Sequence, residues 1–590
     1  MNSATDSLFH SIVQELREHL EFLYPEVEVG DLLKRLVSRL EEFSRAHPGL
    51  REKVQEGRVD ERDVILITYG DQVQEPDRSP LEILDEFLTT HTTGFLSGVH
   101  ILPFFPYTSD DGFAVADYLE VSPLLGGWED IERIAGHFRL MVDLVVNHVS
   151  FSSDWFKWFR VGDPYFSDYF ITVEPATNLS MVVRPRALPL LTPVETANGI
   201  KHVWTTFSAD QVDLDFANAE VLLAMTDVLL AYLDHGARII RMDAIAYLWK
   251  EVGTPSIHLP QTHRVVQFWR TVFDAIAPQV IIITETNVPH EENVSYFGDG
   301  TNEAQLVYNF PLPPLTLHAF LSGSARHLQQ WAATLTTPSD ETAYFNFLAS
   351  HDGIGVRPAE GILSKAELQQ IVDRVLRYGG NVSYKTNPDG SKSPYELNIN
   401  YFDALNDPSA GEPQSLQVDR FMASQAILLS LAGVPGIYVH SLFGSLGWPE
   451  GVEQTGRYRT INREKFWRAQ VETELATPGS LRNHVFHRYR QLIQARIAEP
   501  AFHPQGAQHI IPAHPSLFSF MRTSPDGSSY VLCIHNVSNA VQDVSVDLAE
   551  YPISLFRELT DLVTQEVYRA DEDQTLSLAV APYAVLWLGF

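Results

Sequence analysis

The amino-acid sequence predicts an α/β chain: a (β/α)8 TIM barrel with inserted loop subdomains, a helical N-terminal extension and a C-terminal all-β domain. Three observations carry that prediction. Eight short apolar runs recur between Val64 and His440, separated by segments of helical periodicity, the pattern of a parallel sheet covered on both faces. Several runs end in polar or charged residues, where a barrel places its chemistry. From about Phe502 the period changes to short β-rich runs broken by turns.

The 590 residues are too many for one small core and predict a large catalytic-size domain with additions. At 45% hydrophobic and 20% charged residues the chain is ordinary globular, not disordered. A formal net charge of −33 argues against nucleic acid or an anionic membrane as partner and suits an enzyme of neutral substrates. A single cysteine, Cys533, permits no intrachain disulfide. The N-terminus lacks a basic start followed by an apolar run, and no apolar run reaches about 18 residues. We therefore expect neither signal peptide nor membrane span, and a cytoplasmic protein.

Residues 1–62 read as a helical extension, with Leu8, Ile12, Val13, Leu16 and Leu20, then Leu32, Leu33, Leu36 and Leu40, at helical spacing. The barrel is expected over 63–148, 212–352 and 414–501. Its strands are VILITYGD (Val64–Asp71), GVHILPFF (Gly98–Phe105), RLMVDLVVNH (Arg139–His148), RIIRMD (Arg238–Asp243), VIIITET (Val280–Thr286), AQLVYNF (Ala304–Phe310), YFNFLASHD (Tyr344–Asp352) and GIYVH (Gly436–His440). Two connections are too long for a plain barrel and predict inserted subdomains over 149–211 and 353–413, where long loops shape sites. The all-β domain is expected over 502–590. Internal repeats, phosphate-binding loops, dinucleotide fingerprints and metal-ligand spacings are absent from the sequence.

Asp243 follows RIIRM, Glu285 follows IIIT and Asp352 follows FLASH. A strand-terminal Asp is most often a cap or a turn former. Three carboxylates at three strand ends, each beside a polar partner (Arg241, Asn287, His351), suit chemistry at an acetal. One carboxylate serves as nucleophile and one carboxylic acid protonates the leaving oxygen, while the third binds sugar hydroxyls.

The stretches DLVVNH, RIIRMDA, ITET and LASHDG, in that order and on those strands, resemble the four conserved segments of glycoside hydrolase family 13, the α-amylase superfamily. The likeness spans about residues 64–590. It implies that Asp243 is the nucleophile, held ionised by Arg241, and that Glu285 is the general acid and then the general base. It also implies that Asp352, His351 and His148 grip the glucosyl ring. A retaining mechanism would place the Asp243 and Glu285 carboxyl groups about 5–5.5 Å apart.

Further stretches, among them GVHILPFFPYTSDDGF, VRPRALPLL, VWTTFSADQVDLD, SHDGIGV and GRYRTINR, resemble the sucrose phosphorylase branch. That likeness implies an Asp110–Arg459 clamp on the far end of the glucose, with Phe113, Phe207 and Tyr247 as apolar walls; the plainer reading makes these aromatics ordinary core. It puts Arg186 beside the acceptor, with Lys385 and Lys392 as weaker candidates for holding phosphate. The chain departs from the branch at YELNIN (Tyr395–Asn400), where Glu396 and Asn398 stand in place of a Tyr-Gln pair, and at Asn287 two residues after the acid. These departures imply an unchanged glucose and a changed leaving group. With the N-terminal extension and IAYLWKEVGTPSIHLPQTH (Ile245–His263), they resemble the glucosylglycerate phosphorylase subgroup.

The leading expectation is thus a retaining phosphorylase acting on a small glucoside and inorganic phosphate, without cofactor or metal, and a homodimer by resemblance alone. Sucrose, sucrose 6-phosphate and glucosylglycerol remain alternative substrates. A hydrolase or transglucosidase of the same fold, or a catalytically dead sugar-binding protein, are the competing readings.

Overall fold

The computed structural model describes residues 3–51, 57–185, 188–386, 391–551 and 558–590, with backbone alone for residues 3–10 and Thr386. The eight apolar runs form the eight strands of a closed parallel barrel: β1 (Ile65–Thr68), β2 (Gly98–Ile101), β3 (Arg139–Val145), β4 (Ala237–Asp243), β5 (Ile281–Thr284), β6 (Leu306–Tyr308), β7 (Ala343–Asn346) and β8 (Val434–Tyr438). They pair in chain order, and β8 returns to β1 with Gly436 opposite Ile65. Their Ile, Val and Leu side chains are buried on both faces of the sheet, one set inside the barrel and the other under helices. The runs are therefore continuous rather than alternating.

One expected strand divides in two. RLMVDLVVNH leaves the barrel after Val145, and His148–Ser150 pairs antiparallel with Gln211–Asp213 at the root of the first insert. That turn fixes His148 at the barrel mouth. The insert carries a second hairpin, Leu191–Thr196 with Gly199–Trp204. The second long connection is a three-stranded sheet in which Lys392–Asn398 pairs with both Ile354–Gly355 and Asn381–Thr386.

At the N-terminus, α1 (Ser3–Leu23) and α2 (Gly30–Ala46) pack on the outer barrel helices α3 (Ala219–Asp234) and α4 (Pro260–Ile276). The predicted stripe is the buried one: Leu16, Leu20, Leu32, Leu33, Leu36 and Leu40 all face inward, while the Leu8 side chain lies outside the described residues. The Arg35 fork grips Glu220 with two bonds of 2.6 Å. The Tyr24 hydroxyl donates to Phe216 O at 3.1 Å, and its ring lies 6.4 Å from that of Trp249, in the loop after β4. The C-terminal region is a six-stranded sheet with a separate two-stranded pair and an apolar cluster of its own around Leu517, Leu532, Leu576 and Leu588. Among the described residues no helix is long and apolar enough to cross a membrane.

Candidate active site

The site is assembled from the C-terminal ends of the strands. Arg241 and Asp243 are two apart on β4 and so share one face of the strand, while parallel pairing places Asp143 of β3 beside Arg241. The Arg241 guanidinium is buried and needs partners to be tolerated there. Its Nη1 donates to Asp143 Oδ1 at 2.5 Å and to Asp243 Oδ1 at 2.7 Å, and its Nη2 lies 3.9 Å from Glu285 Oε2. The Phe113 and Tyr308 rings flank it at 5.8 and 5.5 Å. Behind them, His100 Nε2 on β2 lies 2.7 Å from Asp143 Oδ2.

Directly after Asp243 the chain turns through Ala244 at φ +52°, a left-handed conformation that costs a non-glycine residue of order 1–3 kcal/mol. The turn aims the Ala244 N–H at Glu285 Oε2, 3.2 Å away. A second strained turn lies opposite: Asp110 and Asp111 have φ of +55° and +49°, and a Cβ on the next residue, Gly112, would sit 2.7 Å from Pro103 O. The result is that Asp110 lines the cavity, while Asp111 pairs with Arg463.

Charge is distributed unevenly. Burial raises the pKa of Asp243, against the pull of Arg241, and the nearby Glu285 carboxylate adds to the rise. Burial likewise raises Glu285, with the Asp352 charge adding to it. The two groups together favour holding one proton, and the closer contact of Arg241 with Asp243 leaves that proton on Glu285. Asp352 differs: against its burial, Arg459 at 2.6 Å, with His351 and Arg463 nearby, holds it well below the usual carboxylate range.

Of the residues singled out in the sequence, Asp110, Phe113, His148, Phe207, Arg241, Asp243, Glu285, Asn287, His351, Asp352, Glu396 and Arg459 line one cavity of about 100 Å³. Phe113 stacks on His351 at 4.9 Å. Burial lowers the pKa of His148; its Nε2 donates to Phe113 O at 2.9 Å and its Nδ1 accepts from Asn147 Nδ2 at 3.2 Å. Asn147 is held in turn by Lys250, whose ammonium lies 2.5 Å from Asn147 Oδ1 and 2.7 Å from the buried Asp213. A wider vestibule of about 590 Å³ adjoins the cavity and shares Asp110, Gln211, Tyr395 and Arg459 with it.

Other expectations need correction. Tyr247 does not front the cavity: it stands edge-on to Phe207 at 5.5 Å and supports that ring. Asn398 is buried under the hairpin, its amide donating to Ser383 Oγ at 3.0 Å. Lys385 lines neither cavity nor vestibule; neighbouring strand residues alternate sides, and Tyr384 takes the vestibule side while Lys385 lies 3.7 Å from Glu360. Glu396 reaches the cavity, but its carboxylate is already engaged by Arg459 (2.8 and 2.9 Å) and by Gly353 N–H (2.5 Å). Arg186 lies outside the described residues; its neighbour Pro185 lines both spaces. The sequence reading missed the Asp143–His100 pair, whose only signal was a polar residue in the middle of each of two apolar runs. It also missed Gln211, Asp111 and Arg463. Among the described residues no group of three or more His, Cys, Asp or Glu side chains could hold a metal ion.

A closed parallel barrel with an Arg-supported carboxylate, a second carboxyl across from it and a third beside them defines an α-amylase-type barrel. The sequence pattern of the α-amylase catalytic domain matches residues 93–359. The chain is 50% identical to the glucosylglycerate phosphorylase of Spirochaeta thermophila, over 98% of each chain. It is 43% identical to that of Escherichia coli, over 90% of this chain and 94% of the relative. The crystal structure of sucrose 6F-phosphate phosphorylase from Thermoanaerobacter thermosaccharolyticum superposes with a TM-score of 0.70 at 24% identity, covering 90% of this chain and 99% of that one. The chain belongs to the glucosylglycerate phosphorylase family of the α-amylase superfamily.

Proposed function

We propose that the protein is a retaining glucosylglycerate phosphorylase, converting glucosylglycerate and inorganic phosphate to α-glucose 1-phosphate and glycerate. The observation that carries the chemistry is the unequal sharing of Arg241, 2.7 Å from Asp243 and 3.9 Å from Glu285. The 50% identity to a glucosylglycerate phosphorylase along the whole chain carries the choice of substrate.

In the first half-reaction the Asp243 carboxylate attacks C1 of the glucosyl unit. The bond from C1 to the glycerate oxygen breaks, and the proton on Glu285 passes to that oxygen, so glycerate leaves neutral at its hydroxyl. Arg241 stabilises the ionised Asp243 before attack. In the second half-reaction a phosphate oxygen attacks C1 from the vacated side, its proton passes to the Glu285 carboxylate, and the ester to Asp243 breaks. Two inversions return the α-configuration. Asp352, fixed in its ionised form by Arg459, binds ring hydroxyls, and Asp110 with Arg459 closes the far end of the pocket to a single sugar. His351 and Phe113, stacked, form one wall. The proposal includes a homodimer, carried by resemblance alone, and a cytoplasmic setting, which a single cysteine suits.

The test is to incubate the purified protein with glucosylglycerate, sucrose and glucosylglycerol, with and without phosphate. Phosphate-dependent release of α-glucose 1-phosphate from glucosylglycerate is the expected result. Free glucose as main product in the presence of phosphate would place the protein among hydrolases, and preference for another glucoside would reassign the leaving group.

A further inference from the structure

The mechanism above leaves one wall of the cavity without a role. Tyr308 and Phe310 at the end of β6, Phe347 at the end of β7 and Pro313 beyond them all line it. The Phe310 ring lies 5.6 Å from that of Tyr308, nearly parallel to it, and stands edge-on to Phe347 at 5.3 Å. Arg241 covers the Tyr308 ring at 5.5 Å, whereas Phe310 is only half-buried.

The backbone fixes where this wall stands. Ile283 and Thr284 of β5 pair with Leu306 and Val307 of β6, so Glu285 follows beside Tyr308. Tyr308 and Phe310 are two apart and share one face of the chain. Between them, Asn309 N–H donates to Phe345 O at 2.9 Å and the Asn309 amide to Asn346 Oδ1 at 2.9 Å, holding the end of β6 against β7. In the closed barrel β6 lies opposite β2, whose following loop carries Asp110. The aromatic wall is therefore next to the acid and across the cavity from a residue proposed to close on the glucose. Under the phosphorylase reading, on which this inference rests, that is the side where glycerate leaves and phosphate arrives.

Water competes with phosphate at that point. A water oxygen attacks C1, its proton passes to the Glu285 carboxylate, the ester to Asp243 breaks and free glucose results. A water held in a protein typically makes about three hydrogen bonds. Glu285 and Asn287 supply polar atoms on this side, whereas Phe310, Phe347 and Pro313 supply none. Phosphate can present one oxygen to Glu285 while its others bond elsewhere around the cavity. We propose that Phe310 is a specificity-determining residue of the second half-reaction: its apolar face denies water a hydrogen-bonded position beside Glu285 and so favours phosphate.

The test loads the enzyme from α-glucosyl fluoride at a fixed phosphate concentration and measures the ratio of free glucose to α-glucose 1-phosphate. Phe310→Tyr and Phe310→Ser put a hydroxyl on this wall and should raise the ratio about fivefold or more, while the apolar Phe310→Leu should raise it less. Both products come from one intermediate, so a general loss of activity leaves the ratio where it was. An unchanged ratio in the hydroxyl variants, or an equal rise in Phe310→Leu, overturns the role of Phe310 and leaves the phosphorylase reading intact. Failure of the unmodified enzyme to transfer glucose to phosphate overturns the phosphorylase reading instead. If Phe310→Ser does not fold, the comparison of Phe310→Tyr with Phe310→Leu decides the matter alone.

Discussion

The Ala244 amide donates to Glu285 Oε2 at 3.2 Å, one residue after Asp243. A strained turn on β4 thus sets the position of the carboxyl on β5, and the same strand supplies Arg241, which touches Asp243 directly. The geometry ties the two groups together while giving them unlike surroundings: Asp243 has the guanidinium at 2.7 Å, and Glu285 has one peptide N–H with the guanidinium only at 3.9 Å. Two carboxyls of the same chemistry are in this way separated into an ionised and a protonated partner.

That separation has a pH signature. Burial and the Asp352 charge raise the pKa of Glu285, so its acid form persists to higher pH and its loss sets the alkaline limb of kcat/KM. Replacing Asp352 by Asn removes a charge that raises Glu285, and the alkaline limb of the residual activity should move to lower pH. The Glu285→Gln enzyme should lose about 10²–10⁴-fold in phosphorolysis, yet still be loaded by α-glucosyl fluoride, whose leaving group needs no proton. Stability follows the same sign. A carboxyl whose folded pKa lies above its unfolded value binds its proton more tightly when folded, so ionising it costs stability. Above the folded pKa Glu285→Gln should therefore melt higher than the unmodified protein, and the difference should close as pH falls through that pKa. Identical Tm values across the pH range, by calorimetry, would contradict the burial argument.

The N-terminal extension should be held by its apolar stripe rather than by its ion pairs. Leu36 is fully buried between the extension and the barrel helices, and Leu36→Ala should cost about 2–5 kcal/mol. The Arg35–Glu220 fork is well formed but solvent-exposed, and Arg35→Ala should cost less than about 1 kcal/mol. Denaturant unfolding of the two variants measures the contrast, and a larger loss from Arg35→Ala would reverse the ranking.

How much of this was legible in the sequence depended on what kind of information each feature needs. The eight strands were legible because a two-faced buried strand must be continuously apolar, and Asp243, Glu285 and Asp352 because a charge is conspicuous where such a run ends. Facing and pairing were not. Tyr247 and Phe207 are equally aromatic, and only packing decides that Phe207 fronts the cavity with Tyr247 behind it. In the second insert, a register shift between Ser383 and Tyr384 helps set which side chains face the vestibule, and it left Lys385 outside. Glu396 looked like an acceptor contact because its partner, Arg459, lies 63 residues away.

Lys250 supports the site from behind. Its buried ammonium lies between Asp213 and Asn147, and Asn147 orients His148. Lys250→Met leaves the Asp213 carboxylate buried without its cation and should destabilise by about 3–5 kcal/mol. Adding Asp213→Asn removes the uncompensated charge and should recover a large part of that loss. Denaturation of the two single variants and the double variant gives the coupling energy; simple additivity would mean that Lys250 acts through packing and not through charge.

Glu396 acts on the site through Arg459. Its carboxylate accepts both arms of Arg459 and the Gly353 amide, and Arg459 in turn grips Asp352 at 2.6 Å. Glu396 therefore holds Arg459, which is proposed above to close on the glucose, although its position in the chain suggested the acceptor. Glu396→Gln keeps the size but weakens the hold on Arg459, because a neutral amide oxygen is a poorer acceptor for a guanidinium than a carboxylate. Both compounds that carry glucose, glucosylglycerate and α-glucose 1-phosphate, should show a raised KM, by roughly tenfold for the loss of one charge-assisted contact of about 1.5 kcal/mol. The KM values of phosphate and glycerate should change little. Steady-state kinetics in both directions supplies all four constants, and a change confined to phosphate and glycerate would return Glu396 to the acceptor side.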